Sequence, residues 1–185
     1  EFTHPLPEVS LGSVVSLSEG FGYLSTIEGL GKAYDASRQL FHSRLAKPIK
    51  ISTTNRATIE SWFYPKLSNG SSTIWEFDTR DGQINWQLRQ VNGRGLHVSV
   101  RRGRERFANY FDAGKSGVLN TEAWNHLAMT FDGRQLRLFV NGVSVLTIPE
   151  NSGNAGIPSI LGDIPNVAFG GGLVDDVRIW NVART

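Results

Sequence analysis

An antiparallel all-β sandwich or barrel is the fold class this sequence predicts, and three observations predict it. Apolar and polar residues alternate at period two along most of the chain. Asp-Gly and Asn-Gly pairs separate the alternating segments, and such residues accept the positive φ that tight hairpins demand. Sustained helical periodicity is missing, and a single helical turn over Thr26 to Leu30 is the most that is expected. About a dozen short strands in one chain of 185 residues must close into two sheets or a barrel. No internal repeat points to a propeller.

The elements follow in order. Residues 1–10, "EFTHPLPEVS", carry Pro5 and Pro7 and no periodicity, so they read as linker, with a domain over 11–185. "TIESWFYP" sets Ile59, Ser61 and Phe63 against Thr58, Glu60, Trp62 and Tyr64 and stops at Pro65. "STIWEFDTRDG" ends on the Asp81-Gly82 turn signal, and "INWQLRQVNG" puts Ile84, Trp86 and Leu88 on one face with Gln87 and Arg89 on the other. Asn92-Gly93 turns the chain into "LHVSVRRG", where Leu96, Val98 and Val100 face inward, and "ERFANYF" is the next strand. "WNHLAMTFDG" and "QLRLFVNGVSVLTI" carry two more tight turns, at Asp132-Gly133 and Asn141-Gly142. A polar stretch from Glu150 to Gly156 is a surface loop, after which "NVAFGGG" and "LVDDVRIWN" are the last strands. In the last of these, Asp175 and Asp176 interrupt the apolar series Val174, Val177, Ile179, which predicts a bulge or an edge.

Composition narrows the chemistry. Hydrophobic residues make up 39% and charged residues 19%, which is globular rather than disordered. No cysteine is present, so disulfides, thiolate zinc sites and cysteine nucleophiles are excluded, and the redox compartment is left open. No apolar run approaches the roughly 20 residues of a membrane span, and no signal-peptide pattern is seen. The formal net charge is only +2, so the distribution of charge matters more than its sum.

"GLGKAYDAS", "TIESWFYP", "WNHLAMTFDGRQLRLFVNGVSV" and "LVDDVRIWNVART" occur in the order and spacing of known motifs. On these pieces the chain resembles the laminin-G-like, concanavalin A-like jelly-roll family over roughly Gly29 to Thr185. The resemblance implies a two-sheet antiparallel jelly-roll sandwich. It leaves function open, because that fold hosts lectins, carbohydrate-binding modules, adhesion domains, glycoside hydrolases and polysaccharide lyases. Trp62, Trp124 and Trp180 are expected as structural anchors that bury much of their rings and need one partner for each indole N–H. His126 is expected as a structural, hydrogen-bonded residue.

Catalysis finds little support. A glycosidase needs two carboxylates flanking the sugar, yet Glu60, Glu105, Glu122 and Glu150 stand alone on separate segments. Glu76 and Asp78, in "EFD", come nearest and read as a solvated strand pair. "YFDAGKSG" resembles the lyase motif Y-F-K-A-G, but Asp112 stands where the lysine belongs, and no Arg-x-Glu-x-Arg strand accompanies it. No serine sits in a strained G-x-S-x-G turn, and His4, His42, His97 and His126 lack metal-ligand spacing.

Arginine is concentrated in "LRQVNGRGLHVSVRRGRERF". Arg89, Arg94, Arg101, Arg102, Arg104 and Arg106 stand there against one acid, Glu105. By alternation Arg89, His97 and Arg101 share the polar face of neighbouring strands, and Arg94 and Arg102 lie in turns. Two readings stay open: a solvated edge that discourages aggregation, or an anion-binding face of Arg89, Arg94, His97, Arg101 and Arg102, because guanidinium forks match sulfate and carboxylate. Nucleic acid is disfavoured, since few aromatics interleave for base stacking. The resemblance also implies a structural calcium ion at Asp175. The expected acidic early segment is replaced by "SEGFGYLSTIEGLG", with only Glu19 and Glu28, so no cofactor is indicated and a backbone-accepting carboxylate serves equally well.

The expectation is therefore a non-catalytic carbohydrate-binding or adhesion module of a larger secreted or cell-surface protein, with acidic polysaccharides as one ligand class. A hydrolase or lyase of the same fold and a structural spacer are the alternatives.

Overall fold

The computed structural model describes residues 24–27, 31–37, 41–49, 56–66, 70–78, 84–102, 109–113, 117–149, 164–180 and 182–184. Its elements are all strands: β1 (Leu24–Ile27), β2 (Gly31–Asp35), β3 (Phe41–Ile49), β4 (Ala57–Pro65), β5 (Ser72–Asp78), β6 (Ile84–Val91) and β7 (Gly95–Arg102). Then come β8 (Asn109–Asp112), β9 (Asn125–Phe131), β10 (Gln135–Val140), β11 (Val143–Pro149), β12 (Ile164–Phe169) and β13 (Gly172–Trp180). A seven-stranded sheet runs β1-β2-β13-β4-β9-β10-β11, and a six-stranded sheet runs β3-β12-β5-β6-β7-β8. The pairings are antiparallel, as a jelly-roll sandwich requires.

The period-two pattern decides which residues meet between the sheets. Ile59 and Phe63 of β4, Trp86 and Leu88 of β6, and Leu96, Val98 and Val100 of β7 are all buried in one core. Across the core, the Trp86 ring meets Phe131 of β9 edge-on at 5.7 Å. Ser61 lies in the inward series of β4 and is fully buried, which a hydroxyl tolerates only with a partner. That partner is Trp75 of the opposite sheet, whose Nε1 donates to Ser61 Oγ at 2.9 Å. One hydrogen bond thus ties the two layers through the middle of the core.

The final strand is interior, between β2 and β4. Its register on β4 shifts between Asp175 and Arg178, and Asp176 takes φ 49°, so the bulge expected at the paired aspartates is there. Gly170–Gly172 carries the chain from one sheet to the other. Gly170 N donates to Ile74 O, Gly171 N to Ala36 O, and Gly172 O accepts from Ala36 N. A Cβ on Gly172 would sit 2.2 Å from Tyr64 O, so this passage admits no side chain.

Three expectations need correction. Residues 24–27 are strand, not helix, and Ile27 pairs with Gly31 in a β1–β2 hairpin. The Asp132-Gly133 turn is shifted by one residue: Phe131 pairs with Leu136 and Asp132 N donates to Gln135 O at 3.2 Å, so the hairpin bends over Gly133 and Arg134. The carboxylate of Asp132 holds it, with Oδ1 accepting from Arg134 N and Gln135 N, each at 2.9 Å. Burial alone would raise the Asp132 pKa, but those backbone hydrogen bonds outweigh it and lower it overall. By contrast, Asn141-Gly142 is the predicted tight turn, with φ 51° and 80°. Finally, Arg102 is not in a turn: it ends β7, opposite Ile84.

Candidate functional site

Antiparallel register assembles polar residues from four strands on the outer face of the six-stranded sheet. Thr73 pairs with Arg89, Arg89 with His97, and His97 with Asp112, giving one row across β5, β6, β7 and β8. A second row runs Glu76, Gln87, Ser99, Tyr110, and in a third Asp78, Asn85 and Arg101 align. These positions alternate with the buried Leu88, Val98 and Val100, which fixes the outward sense of Gln87, Arg89, His97 and Ser99. Ser99 is outward by position yet fully buried, so a small side chain forms the floor between larger neighbours.

The described side chains cross-link this face. Gln87 Nε2 donates to Glu76 Oε2 at 2.9 Å and to Thr73 Oγ1 at 3.2 Å, which fixes the amide and orients the carboxylate. His97 Nε2 stands 3.6 Å from Asp112 Oδ1. Arg89 is half-buried; its Nε is shielded from solvent without a hydrogen-bond partner, and among the described residues it makes no ion pair. A guanidinium presents a planar fork of donors that matches carboxylate and sulfate oxygens.

The sequence placed Arg89, His97 and Arg101 on one face, and the register brings them to adjacent strands. Arg94 stands apart. It is exposed at the β6–β7 turn, where its carbonyl accepts from Val118 N and Leu119 N at 3.2 and 3.1 Å. Arg102 falls in the series of Val98 and Val100 rather than with Arg89. The solvated-edge reading of this stretch does not hold for β6 and β7, because both are paired on two sides. Arg104, Glu105 and Arg106 lie outside the described residues.

The opposite outer face, on the seven-stranded sheet, is built differently. Glu60 of β4 is buried there, and its Oε1 accepts from Trp180 Nε1 at 3.0 Å and Arg184 Nη1 at 2.7 Å. Arg178 Nη1 and His126 Nε2 each come to 3.9 Å of the same carboxylate. Arg184 also stacks over the Trp180 ring at 4.5 Å, and its N–H and the Val182 carbonyl bracket the Thr58 hydroxyl. Sequence reading treated Glu60 as isolated. Its partners lie as far as 124 positions away, so only the fold could gather them.

The tryptophan expectations divide. Trp180 has its indole partner, while Trp124 Nε1 is buried without one. Trp62 is no core anchor but 41% exposed, with the edge of His126 against it at 5.2 Å. The core tryptophans are Trp75 and Trp86 instead. Alternation had put Trp62 on the polar face of β4, and residue type alone argued for burial.

Around Asp175, Oδ1 accepts from Asp176 N at 2.8 Å, and Asp176 is bound to Arg178 at 2.6 Å. Desolvation by burial, with the Asp176 charge beside it, pushes the Asp175 carboxyl above its ordinary range despite that backbone bond. Among the described residues no three acidic or imidazole groups converge, and Glu19 and Glu28 lie outside them. The described part of this site holds two carboxylates, one of them paired with a guanidinium, of the six to eight oxygens that calcium takes.

Comparison with known proteins agrees with this architecture. A family model described as the concanavalin A-like lectin/glucanases superfamily matches residues 42–185, and the chain belongs to that family. Mouse pappalysin-1 is 34% identical over an alignment of 96 residues that covers 47% of this chain and 6% of that protein. Among solved structures, the CBM40 of the Ruminococcus gnavus IT-sialidase, bound to α2,3-sialyllactose, superimposes with a TM-score of 0.61 at 17% identity, covering 83% of this chain and 91% of its own. Domain 4 of AbnA, an extracellular GH43 arabinanase from Geobacillus stearothermophilus in complex with arabinotriose, gives 0.58 at 19%, covering 94% and 83%.

Proposed function

We propose that this member of the concanavalin A-like lectin/glucanase superfamily is a non-catalytic carbohydrate-binding or adhesion module of a larger secreted or cell-surface protein. Its ligand is an acidic polysaccharide laid across the outer face of the six-stranded sheet. The observation that carries this reading is the row Thr73–Arg89–His97–Asp112 over four paired strands, with Arg89 lacking any described counter-ion. The likeness in fold to domains bound to sialyllactose and arabinotriose supports glycan binding. Arg89 supplies a planar fork for a carboxylate or sulfate, and Arg101 stands two register rows away on the neighbouring strand. The Gln87–Glu76–Thr73 network offers fixed acceptors and donors for neighbouring hydroxyls.

Glycosidase chemistry fits this face poorly. Glu76, whose neighbour on the same strand face is Asp78, has its Oε2 tied to Gln87 Nε2 at 2.9 Å, and Asp112 on β8 is three strand spacings from it, about 14 Å. Paired catalytic carboxyls stand about 5 to 9.5 Å apart. Incubation with a broad polysaccharide panel should therefore release no reducing sugar and no unsaturated product.

The test is retention on immobilised heparin across a salt series. Attraction between exposed charges is screened over about 8 Å at physiological ionic strength, so retention should fall steeply as salt rises. Arg89→Ala with Arg101→Ala should abolish retention while the thermal melt stays close to the parent's. A double variant that binds heparin as the parent does would make the arginines a solvated surface and nothing more.

A further inference from the structure

We propose that the seven-stranded sheet carries a second glycan site, for neutral sugars, centred on Trp62. Among the large hydrophobic residues described as exposed, Trp62, Val143 and Val182, it is the only aromatic. It belongs to a group of four rings on one outer face. Trp62 meets His126 edge-on at 5.2 Å, and beside them Tyr64 meets Trp124 edge-on at 5.8 Å. Lys66 Nζ stands over the Tyr64 ring at 5.4 Å, so Tyr64 is already covered while Trp62 is open.

The flanks of Trp62 are polar. Asp175 is its register partner on β13 and His126 its partner on β9, so the row reads carboxylate, indole, imidazole. Pyranose and furanose rings present apolar C–H faces ringed by hydroxyls, which suits an aromatic platform with hydrogen-bonding groups at its margins. Charge on this face is largely cancelled in place. Arg178 pairs with Asp176 at 2.6 Å and Arg184 with Glu60 at 2.7 Å. Lys66 lies over the Tyr64 ring rather than beside Trp62, so among the described residues stacking and hydrogen bonds, not a free cation, are what the surroundings of Trp62 offer, and these suit an uncharged ligand.

This inference rests on the domain being a glycan binder, and the test keeps the two sites separable. Cellohexaose, mannohexaose, xylohexaose and arabinohexaose would be titrated calorimetrically against the parent, Trp62→Ala, Trp62→Phe and Arg89→Ala. At least one hexasaccharide should bind the parent and protect tryptophan fluorescence from acrylamide. Trp62→Ala should weaken that binding at least tenfold, and Trp62→Phe less, as a smaller stacking surface would. Arg89→Ala should bind the same sugar as the parent does, and Trp62→Ala should keep its heparin retention, which also shows that the variant is folded. Binding of none of the four sugars, or equal binding by Trp62→Ala, would overturn the proposal. If heparin fails on the parent while a neutral sugar binds through Trp62, the acidic preference falls and this site stands.

Discussion

The two outer faces of the sandwich carry charge in opposite ways. On the seven-stranded sheet the charges are bound to one another: a single buried carboxylate, Glu60, is reached by Trp180 and Arg184, with Arg178 and His126 close by. On the six-stranded sheet Arg89 has no described counter-ion, and the His97–Asp112 approach is a loose 3.6 Å. The first pattern ties a face together around one buried acid, and the second leaves a half-buried guanidinium without a described counter-ion. Charge content does not separate them. What separates them is whether each charge is desolvated and satisfied within the molecule.

The largest effect that would break this contrast concerns Glu60. Its removal leaves a part-buried indole N–H and a half-buried guanidinium without their acceptor, so Glu60→Ala should cost about 3 kcal/mol in denaturant unfolding. Arg89→Ala should cost within about 0.5 kcal/mol in the same experiment. Equal losses would mean that both faces are structural and would remove the main physical reason for assigning ligands to Arg89.

This distinction marks the limit of what was legible in the sequence. Alternation in "INWQLRQV" and "LHVSV" separated Trp86, Leu88, Leu96, Val98 and Val100 from Gln87, Arg89 and His97, and burial agrees at each of them. Asn-Gly turns marked the hairpins because their backbone needs are local. Glu60 and Asn125 were not legible as network centres. Asn125 is fully buried and bonds Asn120 N and O, Ala123 O and Asn141 Nδ2, while Glu60 gathers partners from three other segments. Such networks depend on strand order, and strand order is set by contacts far apart in sequence. Arg102 was misplaced because pairing across the hairpin carries β7 up to the residue before the glycine of "RRG", opposite Ile84.

A smaller effect sharpens the contrast among exposed pairs. Arg178 and Asp176 meet at 2.6 Å with side chains 44% and 38% exposed, and His97 and Asp112 at 3.6 Å with 32% and 37%. Solvent screening holds such pairs to about 1 kcal/mol at most. Arg178→Ala, which also leaves the neighbourhood of Glu60, should cost somewhat more than Asp112→Ala, whose approach to His97 is the looser one. Thermal melts at 150 mM salt would rank them, and the reverse order would say that the six-stranded face is the more tightly built.

The smallest effect belongs to Asp175, a carboxylate of the seven-stranded face that its surroundings burden. Burial raises its pKa above the ordinary carboxylate value of 3.8, and Asp176 adds repulsion. A raised acid binds more protons folded than unfolded, so its charge opposes folding once the pH exceeds that ordinary value. The cost is absent at lower pH, grows as pH rises through the folded pKa, and is complete at neutrality. Asp175→Asn keeps an Oδ1 acceptor for Asp176 N and removes the charge. It should therefore melt slightly above the parent at pH 7, by no more than about 0.5 kcal/mol after screening, and level with it near pH 3. Chelator should leave both melts unmoved. If Asp175 instead held calcium, Asp175→Asn would melt below the parent at pH 7 and chelator would lower the parent's melt to match, since an ion bound only to the folded state stabilises it by mass action.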